Sequence, residues 1–167
     1  MKRKYLFLMV ISGLIVALDQ MVKLFVHTQF RLGESFTVVP NLLNVTYVRN
    51  FGAAFGFLAD SHPAFREIFF LAMPPIALVI ILVILRNVAD RDTRQIVALS
   101  AIFGGAIGNY VDRLRFRYVI DFLDFHLGSR WSWPAFNIAD SAIVGGVILL
   151  LLLMFLESPL RSHQTPK

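Results

Sequence analysis

Two aspartates stand out in a chain that is otherwise rich in apolar residues. Asp121 lies within Tyr118–Phe122, and Asp140 follows Asn137 by three residues at the start of a long apolar run. A carboxylate at the boundary between membrane and water is costly unless it has a partner or a chemical task. Two close carboxylates share a proton, so one can accept a proton from water while the other donates one. The pair therefore indicates acid–base hydrolysis of a peptide bond at a membrane surface.

The setting of Asp140 predicts how the two acids divide this work. Asn137 is a good helix N-cap residue, and a helix N-terminus favours negative charge. We therefore expect Asp140 to be the ionised partner and Asp121 the protonated one, within a pair that titrates together. A structural alternative stays open, in which Asp140 only caps a helix and Asp121 pairs with Arg113 or Arg117.

Other polar residues occur at spacings that bring side chains together. Asp19 and Lys23 are four residues apart with the acid first, so they share a helix face and can form an ion pair, structural or facing substrate. Asn109 and Arg113 share a face at the same spacing. Arg113 could bridge to a carboxylate or to lipid phosphate, or it could be a structural arginine at the interface.

The segment from Asn50 to Phe55 combines an amide, a glycine and small residues. Asn50 could hydrogen-bond an extended peptide, while Gly52 and the two alanines after it would let the peptide approach closely. A turn leading into an interfacial helix is the plainer alternative. No histidine pair has zinc-protease spacing, and no serine lies in a nucleophile elbow. The chain has no cysteine, which excludes thiolate chemistry, and we expect neither metal nor cofactor.

The composition indicates an integral membrane protein of one domain over residues 1–167. Hydrophobic residues make up 57% of the chain and charged residues 16%, with a mean hydropathy of +0.67. A soluble domain would carry about 25% charged residues. The net charge of +5 does not indicate nucleic-acid binding, because the arginines lie beside membrane segments, where membrane phospholipid headgroups are the expected partners.

Hydropathy predicts four transmembrane helices, each with the roughly 17–25 residues needed to cross the hydrocarbon core. Pro74 and Pro75 predict a kink in the second, and Gly104 and Gly108 let the third approach a neighbouring helix closely. The first resembles a secretory signal but is too long and lacks a clean cleavage site, so we expect it to be retained. The predicted spans are about 5–26, 66–85, 95–111 and 138–155.

Four spans place both termini on one side of the membrane. Basic residues divide evenly between the two sides, but the cluster Lys2–Lys4 before the first span favours a cytoplasmic location for both termini. The arginines on the outer side then need another role, such as binding lipid phosphate or ordering a site.

The segment between the first two spans is too long for a simple loop. Phe36–Pro40 and Leu43–Val48 have strand-like composition, and Phe51–Leu58 suits a short helix in the interface. The tail 157–167 is polar, and we expect it to be flexible. The predicted fold is thus an all-α integral membrane protein with four transmembrane helices, a small β-containing extramembrane platform and a short interfacial helix.

Five short motifs give the chain a resemblance to the bacterial lipoprotein signal peptidases, also called signal peptidase II. They occur in the family's order and at its spacing over most of the chain. The motifs are Asp19-Gln20-x-x-Lys23, Asn50-x-Gly52-Ala53-Ala54-Phe55, Gly104-Gly105-Ala106-Ile107-Gly108-Asn109-x-x-Asp112-Arg113, Val119-Ile120-Asp121-Phe122 and Pro134-Ala135-Phe136-Asn137-x-Ala139-Asp140-Ser141.

The resemblance implies an aspartyl endopeptidase of the bacterial cytoplasmic (inner) membrane, with its active site towards the outer leaflet. Such enzymes remove the signal peptide of prolipoproteins before a diacylglyceryl-modified cysteine, and globomycin inhibits them. The family's catalytic pair corresponds to Asp121 and Asp140. We expect the protein to be a monomer. Its supporting residues correspond to Asp19, Lys23, Asn50, Gly52, Asn109, Arg113 and Asn137.

Departures from the family pattern are small. Arg117 stands where many relatives have glycine, Tyr110 stands where leucine is common, and Asp124 lies outside the motif. Two other functions use the same residues differently. A proton-coupled transporter would use the acids as a relay, but their places at span ends and the absence of an internal repeat disfavour it. A scaffold that binds lipidated proteins would not need both carboxylates.

Overall fold

Helices and one small antiparallel sheet form the described part of the chain, which in this computed structural model comprises residues 2–52, 62–128 and 131–157. The helices lie side by side, and the sheet lies at one end of them. The elements are α1 Arg3–Gln29, β1 Ser35–Val39, β2 Leu43–Asn50, α2 Pro63–Asn87, α3 Thr93–Phe116, β3 Val119–Leu127, β4 Trp131–Ser132 and α4 Ile138–Glu157.

Within these residues, α1, α2 and α4 are long and apolar enough to cross a membrane. They confirm three of the predicted spans, and the protein is a multi-pass membrane protein. The 24-residue α3 is also long, but its mean hydropathy is lower because it carries polar residues such as Asn109, Asp112 and Arg113. Asn109 and Asp112 are buried in the bundle, so their polar side chains are not exposed to lipid. A fourth span in α3 stays a prediction.

Glycines let α3 approach both α1 and α4. A Cβ atom at Gly104 would lie 2.8 Å from the Cα atom of Ser12 on α1, and one at Gly108 would lie 2.8 Å from a carboxylate oxygen of Asp19. On α4, a Cβ atom at Gly146 would lie 2.7 Å from the carbonyl oxygen of Ala98. The predicted close approach at the Gly104/Gly108 pair is confirmed, because each neighbour occupies the space of a missing side chain.

The two ends of the bundle have different cores. At one end, the Lys4 ammonium donates to the carbonyl oxygens of Arg86 and Val88 at 2.7 and 2.8 Å, which ties the start of α1 to the end of α2. At the other end, Val26 of α1 packs with Tyr47 of β2 and Ile120 of β3. The sheet is therefore anchored on the C-terminal end of α1.

The sheet has the strand order β1-β2-β3-β4. Both predicted strands are confirmed within two residues at each end, whereas β3 and the short β4 were not predicted. A bulge between Val45 and Val48 of β2 changes the register before Val48 pairs with Asp121. Most of the predicted interfacial helix, residues 53–58, lies outside the described residues, as do residues 158–167 of the predicted tail.

Candidate active site

Asp121 is held on β3 by two amide groups. Its Oδ1 atom accepts a hydrogen bond from Asn137 Nδ2 at 2.7 Å, and its Oδ2 atom accepts one from Asn50 Nδ2 at 2.9 Å. The Asn50 amide is itself fixed, because its Oδ1 atom accepts from the backbone N–H of Gly52 at 3.0 Å. Asp121 is 1% exposed, so these hydrogen bonds from protein hold its carboxyl group in place.

Asp140 lies in the first turn of α4, with Asn137 as the residue before the helix begins. Asn137 Oδ1 accepts from the Asp140 N–H at 2.9 Å, and Asp140 Oδ2 accepts from the Asn137 N–H at 3.2 Å. This reciprocal pair is a capping box. The second carboxylate oxygen, Oδ1, accepts from Asn109 Nδ2 of α3 at 2.7 Å. Asp140 therefore does cap its helix, as the structural alternative holds, but it is also bound to α3.

The amides of Asn109 and Asn137 connect the two acids. Asn109 Oδ1 accepts from Lys23 Nζ at 3.0 Å and lies 3.1 Å from Asn137 Nδ2. Since the ammonium group of Lys23 can only donate, the Asn109 carbonyl must face it, and the Asn109 NH₂ group must face Asp140. Both amides are thus held in one orientation.

A buried charged cluster contacts these amides through Lys23. Lys23 Nζ lies 2.8 Å from Asp19 and 2.9 Å from Asp112, and none of the three is more than 1% exposed. Asp19 also accepts from the Ala139 N–H at 2.9 Å, and Asp112 accepts from the Ile120 N–H at 3.1 Å. The cluster therefore joins α1, α3, β3 and α4, and the predicted Asp19–Lys23 ion pair is confirmed.

Asp112 was given no role by sequence reasoning. It follows Gly108 by four residues, so it lies on the face of α3 that meets α1, and that spacing was the available signal. Gln20 belongs to the first motif but was likewise given no role. Its Nε2 atom donates to Asp112 at 2.9 Å and to the Gly108 carbonyl at 3.1 Å.

The arginines near the acids have other partners. Arg113 Nη2 donates to the Gly52 carbonyl at 3.0 Å, and its guanidinium lies 4.7 Å from the centre of the Phe70 ring. Arg117 forms an exposed ion pair with Glu67 at 3.1 Å. Within the described ranges, neither arginine forms an ion pair with Asp121, so that part of the structural alternative is wrong.

A cavity of about 900 Å³ opens beside the two acids. Both carboxyl groups belong to its wall, together with Asn50 and Asn109. The cavity lining includes both basic and apolar residues, and α4 contributes apolar ones. Its basic residues are Arg49, Arg66 and Arg113, and Ile143 and Val144 are its apolar residues from α4. The first two arginines, Trp133 and Phe136 were not identified as candidate site residues from the sequence.

Burial raises the pKa of Asp121 to about 7, and the charge of Asp140 adds to this effect. The hydrogen bonds from Asn50 and Asn137 act in the opposite direction, because they stabilise the ionised form. The arrangement thus offers one carboxyl group that keeps its proton near neutral pH, next to a second carboxyl group that receives hydrogen bonds. In the part of the chain that the structure describes, no group of three or more histidine, cysteine, aspartate or glutamate side chains could hold a metal ion.

Comparison with known proteins identifies the family. The family model described as "Signal peptidase (SPase) II" matches residues 11–156. The chain belongs to the signal peptidase II family. It is 45% identical over 151 residues to the lipoprotein signal peptidase of Syntrophus aciditrophicus, covering 90% of this chain and 93% of that protein. It is 40% identical over 146 residues to that of Pseudomonas aeruginosa, covering 87% and 85%.

Two solved structures, each described as a bacterial membrane enzyme structure obtained by the in meso method, resemble this family member over most of its length. The 2.3 Å structure gives a TM-score of 0.84 at 33% identity and covers 96% of this chain and 94% of that one. The 1.9 Å structure gives a TM-score of 0.79 at 33% identity, with coverages of 88% and 91%. This signal peptidase II family member therefore shares both the sequence and the fold of membrane enzymes, and it is a peptidase.

Proposed function

We propose that this chain is an aspartyl endopeptidase of the bacterial inner membrane. It removes the signal peptide from prolipoproteins by cutting before a diacylglyceryl-modified cysteine. The observation that carries the proposal is that Asp121 and Asp140, on different elements, line one cavity and are joined through Asn137. The family description and the names of the relatives support the substrate class.

In the proposed reaction, a water molecule bound between the two acids attacks the scissile carbonyl. Asp140 takes a proton from this water, while protonated Asp121 donates its proton to the carbonyl oxygen. The tetrahedral intermediate then collapses. The leaving amine receives the proton held by Asp140, and Asp121 recovers its proton from the hydroxyl group, so both acids return to their starting states.

The polar residues around the pair have separate proposed roles. Asn109 and Asn137 orient the two carboxyl groups, and Asn50 holds Asp121 while lining the path of an extended peptide. Arg113 fixes Gly52 by its bond to the glycine carbonyl. Asp19 and Lys23 hold these amides in position and do not touch substrate, since neither of them lines the cavity.

We also propose that α3 is a fourth span. Arg3 Nη2 lies 3.4 Å from Thr93 Oγ1, so α3 begins beside the start of α1. At the other end, the ring of Phe116 lies 5.0 Å from that of His27 in the last turns of α1. The two helices therefore run side by side over the same length and in the same direction. Four spans would place both termini in the cytoplasm and the acids towards the outer leaflet, in one monomeric domain of residues 1–167.

A cleavage assay tests the function. Purified wild type, Asp121→Asn and Asp140→Asn are each mixed with a diacylglyceryl-modified prolipoprotein in detergent, and the product is followed by gel shift. Asp124→Asn is the matched control, because Asp124 lies on the same strand and bonds to Asn44 away from the cavity. We expect wild type and the control to cleave, with globomycin blocking both, and each dyad variant to cleave at least about 10²-fold more slowly while remaining folded.

Other results would contradict the proposal. Near-full activity in a dyad variant would remove that aspartate from the mechanism. An inert wild type that still binds lipidated substrate would indicate a scaffold, and pH-driven flux in liposomes would indicate a transporter.

A further inference from the structure

Arg49 of β2 is held in a fixed position by aromatic side chains. Its guanidinium lies 4.9 Å from the centre of the Tyr118 ring and 5.4 Å from that of Tyr47, and its Nε atom donates to Tyr47 Oη at 3.0 Å. Tyr47 is buried, and its Oη atom is also hydrogen-bonded to His27 Nδ1 at 2.6 Å. Because the arginine is already ordered, little conformational entropy is lost when it binds a ligand.

The outer edge of this guanidinium is open to a ligand. The guanidinium has five N–H donors, and the hydroxyl groups of Tyr47 and Tyr118 engage only part of this set. The side chain is exposed and lines the cavity. A planar guanidinium with free N–H groups suits a phosphate or carboxylate, which it can bind through two oxygens. Arg113 is different, because it already donates to the Gly52 carbonyl. The role in phosphate binding considered for Arg113 therefore fits Arg49 better.

The apolar residues that α4 contributes to the same cavity are followed along the helix by further exposed apolar residues. Ile143 and Val144 line the cavity, Val144 is 56% exposed, and Val147 and Ile148 continue the exposed apolar surface along the helix. Trp133, also in the cavity wall, is of a type enriched at the level of lipid headgroups. A ligand that contacts both Arg49 and these residues of α4 needs an oxyanion at one end and acyl chains at the other.

We propose that the cavity binds a membrane phospholipid, with its phosphodiester on Arg49 and its acyl chains along α4. In the absence of substrate this lipid would occupy the cavity of the proposed peptidase. A diacylglyceryl-modified substrate has the acyl chains but lacks the phosphate, so the two ligands compete for α4 while only the phospholipid uses Arg49. Only this competition rests on the proposed function, since lipid binding itself does not require cleavage.

Native mass spectrometry of the full chain in detergent tests the site. The protein is titrated with phosphatidylglycerol and, separately, with diacylglycerol of the same acyl chains. We expect wild type to bind phosphatidylglycerol at least about tenfold more tightly than diacylglycerol, because a charge-assisted contact to phosphate is lost in the latter. Arg49→Gln should abolish this preference. Arg31→Gln is the matched control, since Arg31 is exposed on the loop before β1 and does not line the cavity.

Three outcomes would overturn the proposal. Equal binding of the two lipids by wild type would exclude a phosphate site. An equal loss in Arg31→Gln would show that general surface charge attracts the lipid. Displacement of phosphatidylglycerol by inorganic phosphate at equal concentration would make free phosphate the ligand. The melting temperature of Arg49→Gln is measured alongside, to show that the variant is folded. Native mass spectrometry detects the protein–lipid complex itself, so these results can be interpreted even if the cleavage assay fails.

Discussion

Asn137 and Asp140 exchange two hydrogen bonds across the first turn of α4. The side-chain oxygen of Asn137, Oδ1, accepts from the backbone N–H of Asp140, and the Asp140 carboxylate accepts from the backbone N–H of Asn137. Because Asn137 Oδ1 binds the helix, the side-chain nitrogen Nδ2 faces Asp121, to which it donates at 2.7 Å. Asn137 thus caps the helix that carries Asp140 and also holds Asp121 in place.

Substitutions at Asn137 should separate its two roles. Serine can still cap α4, whereas alanine cannot. Neither has the amide NH₂ group that reaches Asp121, since the serine hydroxyl lies on a shorter side chain. We expect Asn137→Ser and Asn137→Ala both to lower the cleavage rate about 10²-fold or more. We expect Asn137→Ala to lose about 1 kcal/mol more of the free energy of unfolding than Asn137→Ser. Cleavage kinetics and denaturant unfolding in detergent measure both, and wild-type cleavage by the serine variant would show that the donor to Asp121 is dispensable.

Cleavage should decline as pH rises through about 7, because Asp121 has a pKa raised to about 7 and must keep its proton to act as the acid. Asn50→Ala removes a hydrogen bond that stabilises the ionised form, so it should raise this pKa and move the alkaline limb of kcat/KM to higher pH. Asn44→Ala on the same strand is the matched control, because Asn44 bonds to Asp124 instead. A limb that moves to lower pH in Asn50→Ala, or moves equally in the control, would contradict the assignment.

The same raised pKa predicts how stability depends on pH. The folded protein keeps a proton on Asp121 that the unfolded chain releases above the ordinary value of 3.8, so stability should fall as pH rises from about 4 to about 7. The loss attributable to this group is at most about 4 kcal/mol. Asp121→Asn should reduce the difference in melting temperature between pH 5 and pH 8, and Asp124→Asn should not. An unchanged difference in Asp121→Asn would show that Asp121 titrates normally.

Local spacing was sufficient for some of the site and fold. Residues four apart share a helix face whatever the tertiary structure, so the Asp19–Lys23 pair and the Gly104/Gly108 contact could be read from the chain. The Asn137 cap was also readable, because capping involves only neighbouring residues.

Contacts between distant elements could not be read in this way. The sequence of β3 was not recognised as a strand, since Val119–Phe122 is buried on both faces and shows no alternation between apolar and polar residues. The bond between Asn109 and Asn137 depends on α3 packing against α4. Arg49 lines the cavity only because the bulged β2 pairs with β3 beside α4. These relationships arise from the tertiary fold and leave no spacing signal.

Glycine-to-alanine substitutions should distinguish contact glycines from exposed ones. A Cβ atom at Gly104 would lie 2.8 Å from backbone of α1, so Gly104→Ala should force the helices apart and lose about 1–3 kcal/mol of the free energy of unfolding. A Cβ atom at Gly145 would meet nothing within 4 Å, so Gly145→Ala should be neutral or stabilising by up to about 1 kcal/mol, since alanine favours the helix. Thermal unfolding in detergent compares the two, and equal melting temperatures would contradict the packing of α3 on α1.

Loss of Lys23 should destabilise the protein and disturb the position of Asp140, which is connected to Lys23 through Asn109. Lys23→Met would leave Asp19 and Asp112 buried together without a cation, which we expect to cost about 3–5 kcal/mol of the free energy of unfolding. Adding Asp112→Asn should recover part of this loss, because one buried charge is then removed. Cleavage should stay low in the double variant, since Asn109 Oδ1 then keeps only its bond from Asn137 and loses the ammonium donor that fixes its amide towards Asp140. Lys2→Met, at an exposed position, is the control, and cleavage fully restored together with stability would show that Lys23 acts on the fold alone.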